Sequence, residues 1–190
     1  MKKTILFFCF SILLISCNNE EIESDYDLIN NSKIENVSNM KGESQKIAYK
    51  MLNSNEKLLI WQKKLDLLLN LNLNDSQVNY VKELQSTLKI DYFKNESIND
   101  KEYLKYLSNM KKIGFSLFNS QEMATYFSNI NLEISKLPNG KTTPPDIYCG
   151  CSTGDDWCVT GDCYSLYCSG ADAGCGWWLQ QTCNGFCATN

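Results

Sequence analysis

The chain has 190 residues, ten of them cysteine, and a formal net charge of −4 in which every cation is a lysine. A balance this mild, with no cluster of basic residues, does not favour a nucleic-acid partner. Histidine is absent from the sequence, which excludes histidine-based catalytic triads and dyads as well as imidazole metal ligands.

The first 16 residues have the features of a bacterial signal peptide. Lys2 and Lys3 are basic, and the apolar stretch from Ile5 to Ile15 is too short to cross about 30 Å of hydrocarbon. Leu14-Ile15-Ser16-Cys17 resembles the lipobox, an aliphatic residue and a small residue just before the cysteine. The resemblance implies cleavage before Cys17 and lipidation of its thiol, for example with palmitate.

Lipidation at Cys17 would make the membrane a partner through that lipid. It would place the chain in the cell envelope, at the outer membrane or the cell surface. An ordinary secretory signal is the alternative interpretation. Both interpretations export the chain to a compartment in which disulfides persist.

Residues 17–42 are predicted to form a flexible acidic tether. The segment begins Asn18-Asn19-Glu20-Glu21-Ile22-Glu23-Ser24-Asp25, which offers little apolar surface to bury. We therefore expect no packed structure between the lipid-bearing cysteine and the first helix.

Residues 43–136 are predicted to be a helical domain, because apolar residues recur there at steps of three and four. The series are Ile47, Ala48, Met51 and Leu52; Leu58, Trp61, Leu65 and Leu68; Val78, Val81, Leu84 and Leu88; Tyr103, Leu107, Met110 and Ile113; and Met123, Phe127 and Ile130.

Four asparagines mark the starts of these helices, each standing three residues before an acid or amide that can complete a capping box. The pairs are Asn53 and Glu56, Asn74 and Gln77, Asn99 and Glu102, and Asn119 and Glu122. We therefore predict a small all-α antiparallel bundle of four or five helices, which can bury a modest core without cross-links. Its carboxylates resemble solvated surface charge, so we do not expect an enzyme.

Residues 137–147 are predicted to be a proline-rich linker. All three prolines of the chain lie here, and Asn139-Gly140 marks a turn. Exposed stretches of this kind are where proteases cut. The segment is therefore either a passive connection or the site at which the C-terminal piece is released.

Residues 148–190 form a cysteine-rich segment. Its eight cysteines are Cys149, Cys151, Cys158, Cys163, Cys168, Cys175, Cys183 and Cys187. An even number in an exported chain predicts four disulfides, although the sequence does not choose among the pairings. Cys149 and Cys151 are too close to pair comfortably with each other.

So short a segment buries too little apolar surface to fold alone, and each bridge contributes roughly 2–4 kcal/mol. We expect a small, loop-dominated, disulfide-rich unit. Zinc sites and redox enzymes favour Cys-x-x-Cys pairs, which the segment lacks. We therefore expect neither a metal nor another cofactor.

The cysteine segment carries motifs of a known family. Cys149-Gly150-Cys151-Ser152-Thr153-Gly154-Asp155-Asp156-Trp157-Cys158 resembles the start of fulvocin C, a small eight-cysteine bacteriocin, in the form Cys-x-Cys-Ser-Thr-x-x-Asp-aromatic-Cys. Gly174-Cys175-Gly176 and Cys183-Asn184-Gly185 resemble its later motifs. The family peptide closes with a second Cys-x-Cys, whereas here three residues separate Cys183 from Cys187. Leu52-Asn53-Ser54-Asn55-Glu56-Lys57 is similar to the precursor region of fulvocin C-related lipoproteins.

The resemblance implies an exported precursor whose C-terminal segment acts against related bacteria, attached or after release as a fragment. Trp157, Trp177 and Trp178 are the candidates for contact with an unknown envelope component of the target cell; the alternative is that they form the small core. Because the segment has no Lys or Arg, a specific receptor fits better than lysis of anionic membranes. The alternative function is a surface-displayed lipoprotein whose cysteine-rich module binds a partner without killing.

Overall fold

The computed structural model describes residues 31–94, 100–132, 150–155, 157–158, 161–165 and 173–188. They form a helical bundle followed by a small disulfide-rich unit, which confirms the predicted fold class. The predicted signal peptide, the lipidation site Cys17, the linker 137–147, and Cys149 and Cys168 lie outside the described residues.

Six α-helices occur in the described part of the chain. They are α1 (residues 31–39), α2 (Gly42–Lys50), α3 (Ser54–Leu69), α4 (Asp75–Thr87), α5 (Lys101–Leu117) and α6 (Ser120–Phe127), with a 3₁₀ turn at Ile90–Phe93. Sequential helices pack on each other, α3 on α4, α4 on α5 and α5 on α6. None of the described helices combines the length and the apolar character that a membrane crossing requires.

Helix α1 corrects the prediction of a tether over residues 17–42. Ile34 and Val37, three residues apart, are buried at 0% and 5% exposure. Two apolar residues at helical spacing, together with the core of the other helices, are enough to order a segment of otherwise polar composition. The part of this segment before residue 31 lies outside the described residues.

Three of the four predicted capping boxes are confirmed. At α3, the Asn53 side chain accepts from the Glu56 N–H at 3.0 Å, and the Glu56 carboxylate accepts from the Asn53 N–H at 2.7 Å. The starts of α4 and α6 are built in the same way. The prediction for α5 is wrong by one residue, because Asp100 caps that helix by accepting from the first-turn N–H groups.

The predicted periodicity fails around α2, where Ile47 and Met51 were expected inside but are 56% and 78% exposed.

Elsewhere the helical core follows the predicted periodicity except near the end of α5. Ile113 was expected inside but is 37% exposed, and Gly114 is buried in its place. A Cβ atom on Gly114 would stand 2.5 Å from Met123 Cε and 2.6 Å from Tyr80 Oη. Glycine is therefore required where α5 approaches these two side chains.

The cysteine-rich unit contains two small antiparallel ribbons. Strand β1 (Asp162–Ser165) pairs with β4 (Gly185–Ala188), and β2 (Ala173–Cys175) pairs with β3 (Gln181–Thr182). A short 3₁₀ turn, Trp177–Leu179, connects β2 to β3. This turn packs into the helices, so that one buried apolar cluster contains residues of both units.

Candidate functional site

Three disulfides frame the described part of the cysteine-rich unit. Cys151 pairs with Cys163, Cys158 with Cys187, and Cys175 with Cys183, with Cα–Cα distances of 6.0, 5.5 and 5.2 Å. The disulfide-rich character predicted from the sequence is confirmed. Cys151 pairs with Cys163 rather than with its neighbour Cys149, which agrees with the prediction from the spacing.

The sulfur atoms of Cys151, Cys158 and Cys187 lie within 4.8 Å of one another, a spacing that could suit a metal ion. All three belong to disulfides. Metal binding needs the thiolate form of cysteine. In the oxidised chain this cluster is therefore a structural cross-link.

The smallest of the described disulfide loops carries the most buried aromatic residues among those described in the unit. Cys175 and Cys183 close a loop of residues 175–183, which we call the tryptophan loop. Within it, Trp177 and Trp178 are each 1% exposed and Leu179 is 5% exposed. Trp178 and Leu179 have φ values of +54° and +55°, a left-handed conformation that costs on the order of 1–3 kcal/mol per non-glycine residue. The surrounding structure must hold the loop in this shape.

Trp178 is inserted between helices α2 and α3. Its ring meets that of Trp61 edge to face, with centroids 4.8 Å apart. The Tyr49 hydroxyl donates to the Trp178 carbonyl oxygen at 2.8 Å and accepts from Trp61 Nε1 at 2.9 Å. Burial raises the pKa of Tyr49, so its hydroxyl remains protonated and continues to donate.

Trp177 and Trp157 extend the same contact toward α5 and α6. Trp177 lies 6.0 Å from Phe127 and 4.9 Å from Trp157 between ring centroids. Trp157 in turn lies 6.1 Å from Phe115. We call the helix residues Tyr49, Trp61, Lys111, Phe115 and Phe127 the docking face.

Asp155 connects the docking face to the tryptophan loop through an ion pair and hydrogen bonds. Its Oδ1 accepts from Lys111 Nζ at 2.6 Å. Its Oδ2 accepts from Trp157 Nε1 at 2.8 Å, from the Trp177 N–H at 3.1 Å and from Gln181 Nε2 at 3.2 Å. Both members of the ion pair are largely buried, with side-chain exposures of 18% for Lys111 and 11% for Asp155.

A buried ion pair with further hydrogen bonds is costly to break from one side, by about 3–5 kcal/mol. The two carboxylate oxygens of Asp155 already accept four bonds, so this group is poorly placed to act as a general base. Lys111 Nζ also lies 4.9 Å from the centre of the Trp157 ring, as a cation–π contact.

Lys46 of α2 covers the other side of the tryptophan loop. Its Nζ lies 3.4 Å from Cys183 Sγ and 3.6 Å from Cys175 Sγ. Burial lowers the pKa of Lys46, and Glu43 partly opposes this effect. A Cβ atom on Gly174 would approach the Lys46 side chain to 3.2 Å, so the absence of a side chain there allows α2 to pack closely on β2.

A cleft of about 640 Å³ opens beside the docking face, between α5 and the cysteine-rich unit. Lys111, Lys112 and Phe115 line one wall, and Thr153 and Asp155 line the other. Lys111 and Asp155 neutralise each other in their ion pair. The cleft is therefore lined mainly by apolar surface, with Lys112 as its remaining charged residue.

The three candidate contact residues are buried in the intact chain. Trp157, Trp177 and Trp178 are 8%, 1% and 1% exposed. They form the small core, the alternative that the sequence left open, and they form it jointly with the helices. A role in target contact stays a prediction for a form of the unit that has separated from the docking face.

Sequence reasoning missed the polar residues of this contact. Asp155 was named only as part of a motif, and Tyr49, Lys46 and Lys111 were not singled out. A pairing such as Tyr49 with Trp178, 129 residues apart, has no local signature in the sequence.

Comparison of the chain with protein-family models, with curated proteins and with solved structures found no match. The resemblance to the fulvocin C-related family therefore rests on the sequence motifs alone.

Proposed function

We propose that the chain is an exported, lipid-anchored precursor of a bacteriocin-like peptide of the fulvocin C type. In this proposal Cys17 carries the lipid and the cysteine-rich unit carries the antibacterial activity. The helical bundle masks that activity until the unit separates. The proposal involves no catalytic residue and no cofactor.

One observation supports it above all: the three tryptophans of the cysteine-rich unit are turned into the docking face. Tryptophan is enriched in binding hot spots and at membrane interfaces. Because all three are buried against the helices, the tryptophan surface of the unit is not accessible to other molecules. Such an arrangement would protect the cell that makes the peptide.

The alternative is a displayed binding module that stays attached to the lipidated chain and does not kill. The apolar core shared between the helices and the tryptophan loop favours it, because a unit that completes a common core gains stability from staying in place. In that case the partner would bind to surface outside the docking face. The cleft between α5 and the cysteine-rich unit is then the candidate surface.

A killing assay separates the two functions. The oxidised segment from Ile147 to Asn190 is prepared, its four expected disulfides are verified by mass, and it is applied to lawns of related bacteria. We expect the oxidised segment to inhibit growth and the reduced, alkylated segment to be inactive. The intact chain at equal concentration should be much less active, because its tryptophans are covered.

Two variants sharpen this assay. Trp178→Ala should abolish inhibition while leaving the disulfide masses unchanged. Phe186→Ala is the matched control, because the ring of this residue lies 6.2 Å from that of Tyr164 and outside the shared core. No inhibition by the correctly oxidised wild-type segment, across a broad panel of strains, would reject the bacteriocin and favour the displayed module.

A further inference from the structure

The contacts between the docking face and the cysteine-rich unit are all noncovalent, and each lies outside the predicted linker. The described disulfides connect cysteines within the unit and none joins it to a helix. A cut in residues 137–147 would therefore break the chain between the two pieces and leave every one of these contacts in place.

We propose that the helical unit is a noncovalent inhibitor of the cysteine-rich unit. After a cut in the linker the two pieces stay bound through the docking face. Activity then requires a second event that displaces the tryptophan loop. The biological meaning of this inference rests on the proposed function, but the association itself is measured without any killing.

The apolar part of the contact consists mainly of three tryptophans that pack on helix residues. A buried aromatic side chain removes about 150–250 Å² from water. Trp157, Trp177 and Trp178 therefore bury about 450–750 Å² at most, part of it against one another, where a stable protein complex typically buries roughly 800 Å² per partner. They are also clustered, which is the arrangement of a binding hot spot.

The polar part of the contact gives it specificity. Lys111 reaches Asp155 from the helical side, while three donors of the cysteine-rich unit hold the same carboxylate from the other side. At a second point, the Tyr49 hydroxyl donates a hydrogen bond to the carbonyl oxygen of Trp178. A partner that lacked either acceptor would leave a buried donor unsatisfied, which disfavours its binding.

The tryptophan loop also carries strained features, which its own disulfide and its contacts with the helices surround. Trp178 and Leu179 are both in the left-handed region, and such residues persist only where surrounding structure enforces them. Trp177 Nε1 is buried without a hydrogen-bond acceptor among the described residues. Once undocked, the loop could relax and this indole N–H would be free to bond to a target.

The experiment uses the full chain, purified in oxidised form, with a specific protease site inserted between Gly140 and Lys141. After complete cleavage, the sample is examined by native mass spectrometry and by size-exclusion chromatography at about 1 μM. We expect the two pieces to remain together, with a dissociation constant below 1 μM, which corresponds to about −8 kcal/mol. Separation of the wild-type pieces at this concentration would overturn the proposal.

Two variants, one on each side of the contact, test whether the docking face carries the association. Trp178→Ala and Lys111→Met should each raise the dissociation constant by about 30-fold or more, the effect of a hot-spot residue. Phe186→Ala and Asp162→Asn, which change an aromatic and an exposed acidic residue outside the contact, should leave it within about threefold. Mass measurement of the disulfides and circular dichroism before cleavage identify any variant that has failed to fold.

The outcomes separate this inference from the proposed function. Pieces that stay together as tightly in Trp178→Ala and Lys111→Met as in the wild type would overturn the assignment of the docking face. A complex that behaves as expected, with a cysteine-rich segment that kills nothing, would support the noncovalent association and reject the bacteriocin.

Discussion

Lys64 is a charged residue in the middle of an apolar core. It is 1% exposed, and its Nζ donates to the carbonyl oxygen of Asn131. Burial lowers the pKa of Lys64 from 10.5 to about 8, because removal from water disfavours the charged ammonium group. The charged side chain therefore destabilises the folded chain at neutral pH.

The sign of the pH effect follows from that lowered pKa. Between about pH 8 and 10.5 the unfolded chain binds more protons at Lys64 than the folded chain, so the free energy of unfolding rises with pH across this window. This pKa shift corresponds to a cost of about 3 kcal/mol for the charged Lys64 ammonium group in the folded chain. The hydrogen bond to Asn131 offsets about 1 kcal/mol of that cost.

Lys64→Met should therefore raise the free energy of unfolding at pH 7 by about 1–3 kcal/mol and flatten its rise toward pH 10. Urea unfolding at pH 7 and at pH 10 measures both effects. Lys105→Met, at an exposed position of α5, is the control and should change neither. An equally steep rise with pH in Lys64→Met would show that another group is responsible.

Helix α1 is attached to the start of α3 through Glu56. The Glu56 carboxylate completes the capping box of α3 and accepts from Lys33 Nζ at 2.6 Å. Burial alone would raise the pKa of Glu56, but the hydrogen bonds from Lys33 and from the Asn53 N–H outweigh it and lower that pKa. One side chain thus stabilises both a helix terminus and the contact between two helices.

Glu56→Ala should accordingly destabilise the chain by about 2–3 kcal/mol, and Glu122→Ala by about 1 kcal/mol. Glu122 makes the same capping box on α6 but is only partly buried and has no ion pair among the described contacts, so it is the matched control. Since the native pKa of Glu56 is lowered, its contribution is present above about pH 4.5 and is lost as the pH falls. Unfolding at pH 7 and at pH 3 should show the difference between the two variants shrink in acid; an unchanged difference would contradict this account.

The sequence predicted the helices well because their signals are local. An asparagine followed by a glutamate, or an apolar residue every third or fourth position, acts within a single helix turn. Helix α1 was missed because its signal is only Ile34 and Val37, which gain meaning from the core that covers them. Similarly, only the approach of Met123 and Tyr80 explains why Gly114 rather than Ile113 lies inside.

The contact between the two units was beyond sequence reasoning for a physical reason. It depends on which surface of the bundle the tryptophan loop meets, and that choice joins residues more than a hundred positions apart. The cysteine count predicted a separate unit stabilised by its own bridges. The structure instead shows a unit whose largest apolar side chains are buried against the helices.

A core that is shared between two units predicts a single unfolding transition for the whole molecule. Three of the four tryptophans lie in the cysteine-rich unit, and they pack against α3, α5 and α6. The helices report through circular dichroism and the tryptophans through fluorescence. If each unit needs the other, then both probes should follow the same curve.

We expect the oxidised wild-type chain to unfold in urea with coincident midpoints for the two probes. Trp178→Ala removes the ring that packs against Trp61, so the fluorescence change should move to lower urea than the loss of helix. Phe186→Ala, outside the shared core, should keep the two curves together. Separate transitions in the wild type would mean that the docking face adds little stability, and that the cysteine-rich unit folds on its disulfides alone.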